Sequence, residues 1–528
     1  MFSRFLLIGD IVKKIKVKIN TSNRSFVTET FKGKLLKDVF DAAKISYKLP
    51  CGGTGRCGKC KVRFLEGPSK VTSLDKSFFT EKELSQGFRL LCRSVVENDC
   101  EVDIADKVDE DSIVAESVDI RNAVTKEAVA VQDYDRLGIA VDIGTTTIAA
   151  ALLGVNTSGE SSVLRTASTV NHQRQYGDDV ISRISYASDE AGLKKLNEIV
   201  VFDVKELVDE LVSDVSREVS LMVITGNTTM LHIFRNISVE SLGRYPYKTT
   251  GLDIDNIDFC GIKTVIMPGF TAFVGGDILS GVYYTELSGE GEKRLLLDLG
   301  TNGEMAYYNQ KELKICSTAA GPVFEGGTIS CGVASVPGAI SHIKIADEGY
   351  GVSYETIGNK APIGLCGTGV MEAVSELVRV GIVSPEGLLQ DQYFEEGFPV
   401  TEDGNIRIRQ DDIRNVQLAK AAVHSGIRQL LDGDVPGKVF VSGGFGTNID
   451  YDAIRFLKLF PESIEGAFVG AGNTALKGAL KYLLSALMGH EQEKQETEKL
   501  LAIKESAVEL ILANKDDFDD FFVEAMNF

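Results

Sequence analysis

The sequence is short of proline: 11 prolines stand against 52 glycines in 528 residues. Glycine in that excess points to tight turns and ligand loops rather than to disordered linkers. A basic surplus is also missing. The 56 Lys and Arg are outnumbered by 76 Asp and Glu, for a formal charge of −20. Nucleic acid is therefore not an expected partner, because neutralising phosphates needs a basic face. No apolar run reaches the roughly 18 residues of a membrane helix, so no membrane span is expected. The early run Phe5-Leu6-Leu7-Ile8 is shorter than a signal h-region and no small-residue cleavage site follows it. A cytoplasmic location is expected on that ground. What is present, 44% hydrophobic and 25% charged residues, is globular in kind, and the length implies two to four domains.

Nine cysteines, an odd number in a long chain without a signal, favour metal or redox roles over disulfides. Four of them lie within residues 51–92. Around them Ile15, Val17 and Ile19 alternate as in a strand, Phe26 and Val27 continue a hairpin, and Leu35, Leu36, Val39, Phe40 and Ala43 recur at helical spacing. This pattern predicts a small ferredoxin-like domain over 12–100. Residues 101–134 are acidic without a period and are expected to be a linker. From Leu137 apolar runs end in glycine loops, which predicts an α/β domain over 135–483 with ligand sites at strand ends. Residues 484–528 are expected to be a helical tail on the surface.

The run Cys51-Gly-Gly-Thr-Gly-Arg-Cys57-Gly-Lys-Cys60, with Cys92 in Gly87-Phe-Arg-Leu-Leu-Cys92, has the spacing C-x5-C-x2-C plus a distant fourth thiol. Four thiolates hold two irons that share two sulfides, a [2Fe–2S] cluster. The intervening glycines let the backbone wrap closely around the sulfurs. Plant-type ferredoxins use C-x4-C-x2-C; the loop here is one residue longer, as in the adrenodoxin type. A structural zinc site is the rival, but its cysteines come as two close pairs. Cys100, Cys260, Cys316, Cys331 and Cys366 have no ligand spacing and are expected to be small buried hydrophobes.

Two further loops carry chemistry. Asp142-Ile-Gly144-Thr145-Thr146 and Asp298-Leu-Gly300-Thr301 each follow an apolar run, and Ser442-Gly443-Gly444 follows a third. Gly144 and Gly300 let backbone N–H groups approach phosphate, and Thr145, Thr146 and Thr301 add hydroxyl donors. Asp142 and Asp298 can hold Mg²⁺ through its waters. Gly443 and Gly444 leave room for adenosine. Two such loops and a Gly-Gly loop in this order resemble the superfamily of acetate and sugar kinases, heat-shock chaperones and actin, which implies two lobes closing on ATP. The superfamily places a carboxylate near the water that attacks the γ-phosphate, shortly before the second loop. Asp277, in Gly275-Gly276-Asp277, stands there; the other role open to it is a helix N-cap. Gly177-Asp178-Asp179 is a further phosphate, magnesium or capping segment, Glu325 a contact to nucleotide or between lobes, and His232 a core histidine.

The fold class expected is therefore α/β with an N-terminal α+β part: a [2Fe–2S] ferredoxin-like (β-grasp) domain ahead of a two-lobed actin-like ATPase. That order, with the cysteine loop and the segments Asn171–Asp179, Ile224–Met230, Gly321–Gly327 and Gly364–Gly369, resembles the reductive activators of corrinoid proteins. The resemblance implies a homodimer that takes an electron from an external donor. It then passes one electron to the Co(II) corrinoid of a partner, restoring Co(I), with ATP hydrolysis. The partner would be a corrinoid iron–sulfur protein or a methyltransferase corrinoid subunit. A plant-type cluster sits near about −400 mV, and the acceptors implied are more reducing, which is why ATP would be needed. Two rivals stay open: an activator of the dehydratase type, which has no separate ferredoxin domain, and a small-molecule kinase with a fused redox sensor.

Overall fold

The computed structural model describes residues 14–21, 25–43, 45, 47, 49, 51–104, 133–213, 215–289, 291–347, 351–443, 450–464, 467–515 and 517–528. Gly444 and most of the expected acidic linker lie outside the described residues. Packing divides the chain into two units. The described residues up to Ile104 form the first together with His172–Gly192, a segment drawn from the middle of the sequence; the rest form the second.

The first unit is a five-stranded sheet built from β1 (Lys14–Asn20), β2 (Ser25–Phe31), β3 (Lys61–Glu66), β4 (Phe88–Leu90) and β5 (Cys100–Ile104), in the order β2-β1-β5-β3-β4. The alternation in β1 buries Ile15, Val17 and Ile19 on one face. The helix Leu36–Ala42 closes that face with Leu36, Val39 and Phe40, each such side chain contributing on the order of 2 kcal/mol by leaving water. Phe26 and Val27 do extend the hairpin, but on the edge strand, where both are exposed. Glu101–Ile104 belong to β5, paired with β1 and β3, so the sheet continues into the residues expected as linker. Acidic side chains on its outer positions hide the strand in the sequence.

The second unit holds two six-stranded sheets. The first comprises β6 (Arg136–Ile143), β7 (Thr147–Val155), β8 (Ser161–Val170), β9 (Val219–Gly226), β10 (Asp255–Phe259) and β11 (Ile262–Ile266), in the order β10-β11-β9-β6-β7-β8. The second begins with β12 (Arg294–Leu299), β13 (Gly303–Tyr308) and β14 (Leu313–Thr318). A small sheet of β15 (Ala339–Ile345), β16 (Val352–Thr356) and β17 (Gly364–Leu365) and a ribbon of β18 (Phe398–Pro399) and β19 (Arg407–Ile408) intervene. It ends with β20 (Lys438–Ser442), β21 (Ala467–Gly472) and β22 (Ala507–Glu509), in the order β21-β20-β12-β13-β14-β22. β6 and β9 are parallel, as are β12 and β20, and each parallel pair adjoins an antiparallel hairpin. The two halves thus repeat one plan.

Two helices, Gly276–Thr285 and Thr474–Met488, share one core with both sheets: Ala140, Ala149 and Val223 from one, Leu296, Ala306 and Phe440 from the other. They cross at small residues. A Cβ on Gly478 would stand 2.2 Å from the Ser280 carbonyl oxygen, so only glycine permits this approach.

The chain end is not a surface tail. β22 pairs with β14, Leu500 and Phe528 are buried, and the buried Lys420 donates through Nζ to the Asn527 carbonyl at 2.6 Å. Arg428 lies 3.8 Å over the Phe521 ring. The charged outer face of His490–Ser506 masks this docking in the sequence. Cys260 also departs from expectation: it is exposed, in the turn between β10 and β11 at φ 54°, where the hairpin selects for conformation rather than burial.

Candidate functional site

The cysteine loop follows the helix Leu36–Ala42 and feeds β3. Its glycines turn left-handed where a side chain could not pass: at Gly58 (φ 66°) a Cβ would meet the Phe78 ring at 2.4 Å. Cys92 arrives in the 3-10 turn after β4, and Leu91 N–H donates to the Cys60 carbonyl at 2.8 Å, locking the two segments together. The thiols lie in two pairs. Cys60 and Cys92 are 3.3 Å apart, sulfur to sulfur, and Cys51 shares a hydrogen bond with Cys57. Within each pair the thiol that accepts is held low and the one that donates is pushed up: the bond from Cys57 brings Cys51 down to about 3, and the bond to Cys51 raises Cys57. Two close pairs suit two irons, each with two thiolates.

The segment His172–Gly192 lies against this loop. Leu49 N–H donates to the Gln175 carbonyl at 2.5 Å, Tyr176 Oη donates to Asp41 at 3.3 Å, and a Cβ on Gly52 would meet the Ser182 carbonyl at 2.4 Å. Asp179 caps its own helix, accepting from Ser182 N–H at 2.7 Å, so the capping role expected of Gly177–Asp179 is present at Asp179.

In the second unit the strand register assembles the other site. Asp298 at the end of β12 stands opposite Ser442 of β20 on one side and Glu304 of β13 on the other. Asp142 occupies the equivalent place on β6, opposite Thr225 of β9. Asn473 caps the helix Thr474–Met488 and donates through Nδ2 to Asp142 Oδ2 at 2.7 Å. Ser442 Oγ donates to Asp298 Oδ2 at 3.0 Å. Glu325 joins the two glycine loops: its Oε2 accepts from Thr146 Oγ1 at 3.0 Å and from Thr301 Oγ1 at 2.8 Å. Asn227 donates to Thr145 Oγ1 at 3.0 Å, and Asn171 to the Gly144 carbonyl at 2.9 Å. The asparagines Asn171, Asn227 and Asn473, with Ser442 and Glu304, were not among the sequence candidates. The signal for two of them was there: Gly226-Asn227 and Gly472-Asn473 each end a strand and open a helix.

Asp277 is in the first turn of Gly276–Thr285, but Gly275 is the N-cap residue; Asp277 Oδ1 accepts from the next N–H, Ile278, at 2.8 Å. Burial, then the charges of Asp298 and Asp142, hold its carboxyl well above the usual range. Burial pushes Asp142 up to about 7 against the opposing bond from Asn473, and Asp298 to about 6, Glu325 adding its repulsion. Glu304 is raised by burial and by Asp277 and Asp298. Buried carboxylates that repel one another call for a cation. Gly300 has no left-handed φ, and among the described residues a Cβ there would meet only Glu325, at 3.8 Å, so the backbone conformation does not itself require glycine. Gly443 differs: its φ is 88°, and a Cβ would lie 3.1 Å from Asp298 Oδ1. His232 is a satisfied core residue, its ring nitrogens 2.7 and 2.8 Å from the Thr228 and Thr250 carbonyls.

A four-thiolate ferredoxin unit and a two-lobed actin-like cleft define an iron–sulfur protein with an ATP-binding domain. Three family models match it: a 2Fe-2S iron-sulfur cluster binding domain over residues 18–97, the RACo middle region over 137–290, and the C-terminal domain of RACo, the ASKHA domain, over 292–528. The chain is 30% identical to the corrinoid activation enzyme RamQ of Eubacterium limosum, across 85% of this chain and 90% of that one. It is 24% identical to the [Co(II) methylated amine-specific corrinoid protein] reductase of Methanosarcina barkeri, across 73% and 76%. Among solved structures, a reductive activator for corrinoid, iron-sulfur protein superposes with a TM-score of 0.65 at 27% identity, covering 97% of this chain and 98% of the other. The chain belongs to the family of reductive activators of corrinoid proteins.

Proposed function

We propose that this protein takes one electron from an external donor onto a [2Fe–2S] cluster and delivers it to the Co(II) corrinoid of a partner protein, restoring Co(I), with hydrolysis of ATP. The observation that carries this reading is the pairing, in one chain, of two thiol pairs in a ferredoxin unit with a carboxylate-lined cleft whose two loops are bridged by Glu325. Cys51, Cys57, Cys60 and Cys92 would hold the cluster, which supplies a one-electron store at low potential. Gly144, Thr145 and Thr146 from one lobe and Gly300 and Thr301 from the other would bind the phosphates; Asp142 and Asp298 would hold Mg²⁺ through water. Asp277 orients the attacking water, near both loop carboxylates but inside neither loop. Because Glu325 takes hydroxyl bonds from both loops, phosphates entering there compete for the same threonines and change how the lobes are tied. A difference between nucleotide states in affinity for the partner is what lets hydrolysis favour an otherwise uphill electron transfer. The partner is a corrinoid iron–sulfur protein or a methyltransferase corrinoid subunit, and the working assembly is a homodimer, which light scattering checks.

The test is anaerobic. The reconstituted protein, a low-potential reductant and a Co(II) corrinoid protein are mixed with and without Mg-ATP, and the Co(I) absorption is followed. Co(I) should accumulate only when protein and ATP are both present. If the cluster is reduced and ATP is consumed but cobalt stays Co(II), or if a phosphorylated metabolite appears instead of free phosphate, the proposal is wrong.

A further inference from the structure

Between Cys51 and Phe64 the chain carries Arg56, Lys59, Lys61 and Arg63 and no carboxylate, although the whole chain is at −20. All four side chains are exposed. The β3 alternation produces half of this face: Val62 and Phe64 turn into the core while Lys61 and Arg63 turn out. Aromatic rings hold those two in place, Lys61 at 5.7 Å over Phe79 and Arg63 at 5.8 Å over Phe88. Arg56 donates to Thr54 Oγ1 at 3.2 Å and Arg63 to the Gln86 carbonyl at 3.1 Å. Among the described residues none of the four forms an ion pair with a carboxylate. Asp178 and Glu83 feel Lys59 and Lys61 electrostatically without pairing with them. Elsewhere on the same unit Lys14, Lys18 and Lys70 do pair, with Glu29, Glu101 and Glu97 at 2.9, 2.9 and 3.1 Å.

We propose that Arg56, Lys59, Lys61 and Arg63 form the docking face for the electron donor, and that this donor is a small electron-carrier protein with an acidic surface. The inference rests on the proposed function, in which the cluster must be refilled from outside. An acidic carrier is repelled by the net charge of this acidic molecule and attracted by the exposed cations beside the cluster loop, so charge both speeds the encounter and favours that approach. Small, transient electron-transfer contacts depend on such steering because they bury little surface. The donor fits this face better than the corrinoid partner does. The partner's affinity must answer to nucleotide and so needs the ATPase unit, whereas a carrier that serves only the cluster has to be recognised within the cluster unit. In the step itself the reduced carrier gives one electron to the oxidised cluster, and no bond forms or breaks.

The experiment uses the full-length, cluster-loaded protein and, as probe, a reduced 2[4Fe–4S] ferredoxin with an acidic surface. Cluster reduction is followed by anaerobic stopped flow for the wild type, for Lys61→Glu/Arg63→Glu, and for the milder Lys61→Gln/Arg63→Gln. The wild-type rate should fall about tenfold or more between low and high salt. The Glu variant should be slower than wild type by about the same factor at low salt and lose most of its salt dependence, with the Gln variant between them. Reduction by a small uncharged photoreductant and the cluster midpoint potential should stay at wild-type values in both. Equal ferredoxin rates in all three proteins would overturn the assignment. So would a potential shift large enough to explain the slower rate, because the cations would then be balancing the cluster's charge. Slower transfer only from cluster to Co(II) corrinoid would give the face to the acceptor and overturn it as well. If the wild-type cluster takes no electron even from the small reductant, the proposed function fails and this inference falls with it.

Discussion

Asp277 and the carboxylates around it separate two jobs that a single acidic pocket conceals. Asp142 and Asp298 accept hydrogen bonds from side chains of other elements, Asn473 and Ser442, whereas among the described residues Asp277 accepts from its own helix, which fits the proposed role of orienting water. Asp277→Asn should therefore bind Mg-ATP with nearly wild-type affinity by calorimetry and release phosphate about a hundredfold more slowly; wild-type hydrolysis would reduce Asp277 to a structural carboxylate. The same substitution has a pH signature. Burial and repulsion raise the carboxyl in the folded state above its unfolded value, so without nucleotide the charge destabilises the fold above the unfolded pKa, increasingly up to the folded one. Asp277→Asn should raise the melting temperature of the nucleotide-free protein at pH 8 and leave it almost unchanged at pH 4. An equal gain at both pH values would mean that charge is not the cause.

At the scale of loops and strands, glycines that look alike in the sequence serve different ends. Among the described residues a methyl group at Gly300 meets nothing closer than 3.8 Å, so Gly300→Ala should fold normally yet bind Mg-ATP about tenfold more weakly, roughly 1.4 kcal/mol. Gly443→Ala must hold an alanine at φ 88° and should cost about 1 kcal/mol or more of stability. Thermal melts alongside calorimetry distinguish the two, and a destabilised Gly300→Ala would contradict that expectation. In the cysteine loop, Cys57→Ser removes one member of a thiol pair. The wild type should hold about two irons and two sulfides per chain. The variant should lose cluster and electron transfer but keep ATP binding, since the cysteines and the nucleotide loops belong to different units. Zinc without sulfide in the wild type would contradict the cluster assignment.

For the whole molecule, two sites of opposite character are carried on one chain: a thiol site bordered by exposed cations, and a cleft lined by buried acids that we read as the nucleotide site. Hydrolysis that ran freely would be uncoupled from electron delivery. Turnover of the isolated protein should therefore sit well below the roughly 10 per second of an ordinary enzyme and rise when a Co(II) corrinoid protein is added. Phosphate release measured with and without that partner decides it; a fast rate indifferent to the partner would argue against an activator.

The sequence by itself determined the spacing of the four cysteines, the two Asp-x-Gly-Thr loops with Asp277 between them, and a ferredoxin-like part ahead of an actin-like one. Each of these is local: a spacing of cysteines, a strand running into glycines, an alternation such as Ile15-Val17-Ile19. What it could not determine is whatever depends on contacts between distant residues. Only the tertiary structure put Glu304 and Ser442 on either side of Asp298, because strand register across β12, β13 and β20 has no signature in any one strand. It alone brought Asn473 to Asp142 across 331 positions and gave His172–Gly192 to the cluster unit. It also turned an apparent tail into a sheet edge, because β22 has no pattern of its own and becomes a strand only through β14.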